Sequence, residues 1–142
     1  MGDLKNSFSG CLYYSANALA RVMNEMAEEA FKPVGLPPSY CFLLMIANKE
    51  PGISAGDTAG VMQLKPSTIT RLVDKMVDQG YLDRQYQGKQ SFIYPTEKTK
   101  YINELIKSCW RNMYTMYAEK LGDSYARLIT ANVFELSKKL GV

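Results

Sequence analysis

The stretch KPSTITRLVDKMVDQGYLDRQY, residues 65–86, constrains the fold more than any other part of the chain. Ile69, Leu72, Val73, Met76 and Val77 recur at the three-and-four spacing that builds one buried helix face. Ser67, Thr68, Thr70, Arg71, Asp74, Lys75 and Asp78 occupy the remaining arc. Pro66 suits the first helical position, where its missing N–H is no loss, and Gly80 suits the position just past the end. A helix needs no proline, hydroxyls and arginine on its first turns merely to pack into a core.

The neighbouring segments give that front end a context. Residues 54–62 read as a short helix, with Ser54 as N-cap and Asp57 three residues on, an approximate capping box. Gln63-Leu64-Lys65 joins it to the next helix, and Ala59 offers the small residue a close crossing needs. Residues 81–86 and 90–94 then read as two strands around a tight turn at Gln87-Gly88-Lys89. Two helices joined by a short turn form a helix-turn-helix, and a hairpin directly after it makes a winged helix. The second helix of such a unit enters the major groove of DNA with its first residues aimed at bases and phosphates. Ser67, Thr68, Thr70 and Arg71 are therefore expected to read the groove, with Pro66 setting the helix start. Hydroxyls contact phosphate or either base type, and arginine forks onto guanine. Lys65, Lys75, Arg84 and Lys89 are expected to hold phosphates. A winged helix used for protein–protein contact is the alternative, because fold alone does not dictate function.

The two ends read as long helices. Residues 6 to about 31 carry Phe8, Cys11, Leu12, Ser15, Ala16, Leu19, Val22, Met23, Met26 and Ala30 along one face, until Pro33, Gly35 and Pro37-Pro38 end the pattern. A second helix is expected over 38–49. After the hairpin, Thr96 is placed to cap a helix running to Leu121, and Asp123 to cap a last one bearing Tyr125, Leu128, Ile129, Val133, Leu136 and Leu140. The fold class is mainly α: one domain over 1–142, with a winged helix-turn-helix lobe at 36–96 between helical regions at 1–35 and 97–142.

Composition excludes several other classes. At 142 residues, with 46 % hydrophobic and 22 % charged residues, the chain suits one globular domain with a real core. No apolar run approaches the roughly 20 residues needed to cross a bilayer. The start, MGDLKNSFSG, lacks the basic and apolar regions of a secretory leader, and a cytoplasmic location is expected. Histidine is absent, and with it the commonest general base and metal ligand. Cys11, Cys41 and Cys109 have neither disulfide-framework nor zinc spacing. Neither an enzyme nor a metal or other cofactor is expected. Over residues 60–90, Lys65, Arg71, Lys75, Arg84 and Lys89 face Asp74, Asp78 and Asp83, a modest positive balance for a DNA-binding surface.

Three segments resemble the MarR family of bacterial and archaeal transcription regulators. LPPSYCFLLMIANKEPGIS is similar to that family's second helix and following short strand, DTAGVMQLKPSTITRLVDKMVDQGYLDR to its helix-turn-helix and the start of its wing, and YPTEKTK to its exit into a long helix. The resemblance implies an obligate homodimer whose N- and C-terminal helices interlock as dimerisation helices, with two lobes reading an inverted repeat on double-stranded DNA. It implies a repressor relieved by a small ligand or by thiol oxidation. Three departures stand out. The wing tip, Gln87-Gly88-Lys89, is about three residues shorter than the family's and has no counterpart of its minor-groove arginine, for which Lys89 is a weak stand-in. Gln63 replaces a glycine in the turn, where a positive φ would strain it. Lys65 stands where the family has a better cap. Tyr13, Tyr14, Tyr40, Tyr114 and Tyr117 fall near the family's effector pocket and would suit a small aromatic or amphipathic ligand; the other reading of each is packing. Cys11 resembles the cysteine of the family's peroxide-sensing branch, near a helix start that favours thiolate, although Pro37 replaces that branch's tyrosine. Cys41 and Cys109 read as core.

Overall fold

The computed structural model describes residues 2–141. The elements are α1 (Gly2–Lys5), α2 (Leu12–Ala30), α3 (Pro38–Lys49), β1 (Ile53–Ser54), α4 (Ala55–Met62), α5 (Pro66–Asp78), β2 (Leu82–Gln87), β3 (Gln90–Pro95), α6 (Glu97–Tyr101), α7 (Asn103–Leu121) and α8 (Asp123–Leu140). The architecture is mainly helical with a small wing, as expected.

The winged helix forms where its local signals put it. Ser54 Oγ accepts from the Asp57 N–H (3.0 Å), making the first half of the capping box. α4 closes on Gln63, which takes the left-handed conformation at φ 55°. There the Leu64 N–H reaches Ala59 O (3.1 Å) and the Gln63 N–H reaches Gly60 O (3.3 Å). That is the Schellman closure, with glutamine where glycine is usual. α5 buries Ile69, Leu72, Val73 and Met76. It ends in the same closure: Gly80 sits at φ 81°, and the Tyr81 N–H bonds Met76 O at 2.8 Å. The sheet order is β1-β3-β2, antiparallel throughout. Gln87 pairs with Gln90, so the wing loop is the two residues Gly88-Lys89. Gly88 takes φ 61°, as the first loop position of a type II′ hairpin turn requires.

One continuous core lies inside this lobe and under the helices beside it. Phe31, Leu43, Leu44, Ile53, Ile69, Val73, Met76, Leu82, Ile93 and Ile106 are all buried in it. Thr96 and Thr99 knit the end of α5 to α6. Thr99 Oγ1 donates to Tyr81 O (2.6 Å), and Thr96 Oγ1 lies within reach of Gly80 O and Tyr81 O (2.8 and 3.2 Å).

Three boundaries differ from the expectation. The first helix does not run unbroken from residue 6. After α1 the chain makes turns in which Ser7 Oγ donates to Asp3 O and Ser9 Oγ to Asn6 O, and α2 begins only after Cys11. Hydroxyls that bond their own neighbourhood compete with the helical ladder, and Gly10 lowers the resistance further. The helix from Thr96 to Leu121 is broken at Ile102. Asn48 of α3 donates to Thr99 O (3.3 Å) and to Asn103 Oδ1 (3.0 Å), so a side chain takes the carbonyl that an unbroken helix would offer to residue 103. Asp123 is not the cap of α8. Gly122 holds that position, and the Asp123 carboxylate accepts from Tyr114 and Arg127 instead.

Candidate nucleic-acid interface

α4 presents α5 so that its buried stripe faces the core and its first two turns face solvent. Lys65, Pro66, Ser67, Thr70 and Arg71 are exposed, and Thr68 is half-buried. The N-cap residue Lys65 is extended and no side chain caps the helix; Pro66 has no N–H and the Thr68 N–H bonds Lys65 O (3.0 Å), so the Ser67 N–H is the one left facing outward. Thr70 Oγ1 donates to Pro66 O (3.1 Å), which leaves its hydroxyl oxygen free to accept. Arg71 forms no ion pair among the described residues. These side chains occupy one contiguous surface at the N-terminus of α5.

The positive residues behind them differ in what they touch. Lys75 is exposed on α5, its Nζ 5.9 Å from the centre of the Tyr40 ring. Lys89 is exposed at the wing tip. Arg84 is already engaged: it pairs with Asp74 of α5 and lies 5.4 Å from the Tyr86 ring centre. The pair ties the wing to α5 and removes one cation from the free surface. Nothing in the spacing of residues 74 and 84 signals it, because the contact forms only when β2 folds back along α5.

The five tyrosines do not converge on one cavity. Tyr13 is 79 % exposed and lines an apolar groove of about 700 Å³ between the first half of α2 and the last turns of α8. Tyr14 stacks on Phe8 (5.5 Å), and Tyr40 lies beside Lys75. Only Tyr114 and Tyr117 come together, edge to face at 5.3 Å on α7. The Tyr114 hydroxyl donates to Asp123, which holds that carboxyl below its usual range and the phenol above its own; Arg127 adds a second hydrogen bond to the carboxylate. Cys11 is exposed at the N-cap of α2. A wider space of about 910 Å³ separates the α4–α5 turn from the end of α8, lined by Gln63, Leu64, Pro66, Phe134 and Lys138 among others. Among the described residues no three or more cysteine or carboxylate side chains are grouped to hold a metal, and no helix is long and apolar enough to cross a membrane.

A short-turn helix pair, an antiparallel wing and a polar helix front facing solvent define a winged helix-turn-helix fold. A sequence model of the MarR family matches residues 36–87, most of this lobe, which is thus similar to that family. The fold is shared well beyond the matched segment. A MarR protein from Peptoclostridium difficile is 19 % identical, with a TM-score of 0.78 over 91 % of this chain and 86 % of its own. CouR from Rhodococcus jostii RHA1, solved bound to p-coumaroyl-CoA, is 20 % identical, with a TM-score of 0.79 over 95 % of this chain and 97 % of its own. The S. aureus MepR–DNA complex gives 16 % identity and a TM-score of 0.77 over 92 % and 98 %. No curated protein sequence matches the chain.

Proposed function

We propose that two copies of this chain, joined through α2 and α8, bind an inverted-repeat operator and repress transcription from it. Each copy lays the Pro66-led end of α5 into one major groove. Ser67, Thr68, Thr70 and Arg71 read base edges, while Lys65, Lys75 and Lys89 hold phosphates. Arg84 acts chiefly through Asp74, fixing the wing against α5. The observation that carries the reading is the uncapped, solvent-facing start of α5, where Ser67 and Arg71 are exposed and Arg71 pairs with no carboxylate among the described residues. The dimer is supported by the apolar residues that α2 and α8 leave exposed, including Leu12, Leu19, Val22, Leu128 and Phe134. Release by a small aromatic or amphipathic ligand is supported by the apolar groove beside Tyr13, between α2 and α8, and has a parallel in the ligand that CouR carries.

A gel-shift series in increasing salt tests the reading. Three phosphate-holding lysines per lobe, doubled in the dimer, predict a log–log slope on the order of −5. The Lys89→Ala variant is expected to flatten that slope by about 2, one for each lobe. Affinity that barely responds to salt would instead favour a protein-binding winged helix.

A further inference from the structure

The wing carries an exposed aromatic ring that has no part in the core. Tyr40, Phe42, Tyr81, Phe92 and Tyr94 of the lobe are half-buried, whereas Tyr86 of β2 is 66 % exposed. Side chains alternate along a strand, so Leu82, Arg84 and Tyr86 share one face of β2. Leu82 is buried in the core and Arg84 pairs with Asp74, so that face is turned toward α5. Two contacts fix the direction of the strand. The Tyr81 N–H bonds Met76 O (2.8 Å), and Arg84, three residues on, reaches back to Asp74. β2 therefore runs toward the N-terminal end of α5, and Tyr86 lies further along it, between the Arg84–Asp74 pair and Lys89 at the tip. The Arg84 guanidinium lies 5.4 Å from the ring centre and steadies the ring from one side. The Tyr86 hydroxyl makes no hydrogen bond among the described residues.

Resting on the DNA-binding role proposed above, we propose that Tyr86 is a further DNA contact of the wing. Its phenol donates a hydrogen bond to a phosphate at the edge of the groove that α5 enters. The chemistry of the face selects this role. The charge of Arg84 is already engaged by Asp74, so between that pair and Lys89 the face offers DNA a neutral donor. Tyrosine hydroxyls are among the side-chain groups that bond phosphate oxygens. A single hydroxyl lacks the paired donors and acceptors that tell one base from another, so a phosphate is the fitting partner. The ring also differs from Lys89 in stiffness. Lysine brings a point charge on a flexible stem, whereas a ring held by Arg84 fixes where the wing sits along the backbone. The competing use of Tyr86 is to shield the Arg84–Asp74 pair from water, which needs the ring but not its hydroxyl.

Tyr86→Phe keeps the ring on Arg84 and removes only that hydroxyl. Gel shifts of the full chain compare the variant with wild type across a salt series, on a duplex that the wild-type protein selects from random DNA and on an unrelated duplex. The expected result is a loss of at least about 10-fold, since the dimer loses one phenol from each lobe. The loss should be equal on both duplexes, because phosphate contacts carry no sequence information. The log–log salt slope should keep its wild-type value, as no charge is removed, and the thermal transition should not move. Wild-type affinity in Tyr86→Phe, a loss confined to the selected duplex, a flattened slope or a lowered thermal transition would each overturn the contact. Arg71→Ala, measured beside it, separates this contact from the role of α5. Weakened binding in Arg71→Ala with wild-type binding in Tyr86→Phe rejects the wing contact and keeps the reading of α5. A wild-type chain that binds neither duplex rejects both.

Discussion

Ile69 and Leu128 are both large aliphatic residues at the apolar spacing of an amphipathic helix. Ile69 of α5 is fully buried, whereas Leu128 of α8 is 59 % exposed. The contrast extends to their surroundings. In the lobe, Leu43, Leu44, Met76 and Ile93 lose all contact with solvent, while Leu12 and Val22 of α2 and Val133 and Leu140 of α8 keep two-fifths or more of their surface. The sequence pattern is of one kind in both regions. What differs is the opposing surface: α3, α5 and the wing supply it to one another, and nothing in a single chain supplies it to the outer faces of α2 and α8. An apolar stripe without a lid inside its own chain reads as half of an interface, which is why the lobe carries the fold and the ends carry the proposed assembly.

Substitutions in the two regions should therefore fail in different ways. The largest effect is expected in the lobe, where Leu44→Ala should cost about 2–5 kcal/mol in denaturant unfolding, by the same amount at every protein concentration. On α8, Val133→Asp combined with Leu136→Asp should convert the dimer to monomer in sedimentation and lower operator affinity at least about 100-fold, with the lobe's thermal transition retained. Equal damage to the lobe from that pair would erase the distinction. On the proposed DNA-binding surface, Arg71→Ala should cost about 1–3 kcal/mol of specific binding and leave stability unchanged, a larger binding loss than Lys75→Ala produces. Two smaller changes sharpen the picture of the lobe itself. Gln63→Gly should raise stability by about 1 kcal/mol by relieving a left-handed non-glycine residue. Asp74→Asn, which breaks the partly exposed pair with Arg84, should lower stability by no more than about 1 kcal/mol in the same assay.

What could be read in advance follows from how far each determinant reaches along the chain. α3, the Ser54 cap, α5 with its Gly80 closure and the hairpin around Gly88 depend on residues a few positions apart, and periodicity with turn chemistry located them. Even the strained turn at Gln63 was legible, as a departure from glycine. The break at Ile102 was not, because its cause is Asn48, a side chain from another helix that inserts at Thr99 and Asn103. The candidate surface divides the same way. The start of α5 could be named from its hydroxyls and arginine, but the engagement of Arg84 with Asp74 comes from tertiary packing that no local pattern encodes. The late start of α2 is a nearer miss: its causes, Ser7, Ser9 and Gly10, are local, but the apolar spacing of Phe8 and Cys11 masks them.

Selection of bound sites from random duplex DNA by the full chain tests the central claim most directly. Two α5 helices presented by one dimer predict enriched sequences made of two half-sites in inverted orientation, their centres about 10–10.5 base pairs apart, with enrichment lost in Arg71→Ala. A single unrepeated site, or no enrichment above random, would contradict it.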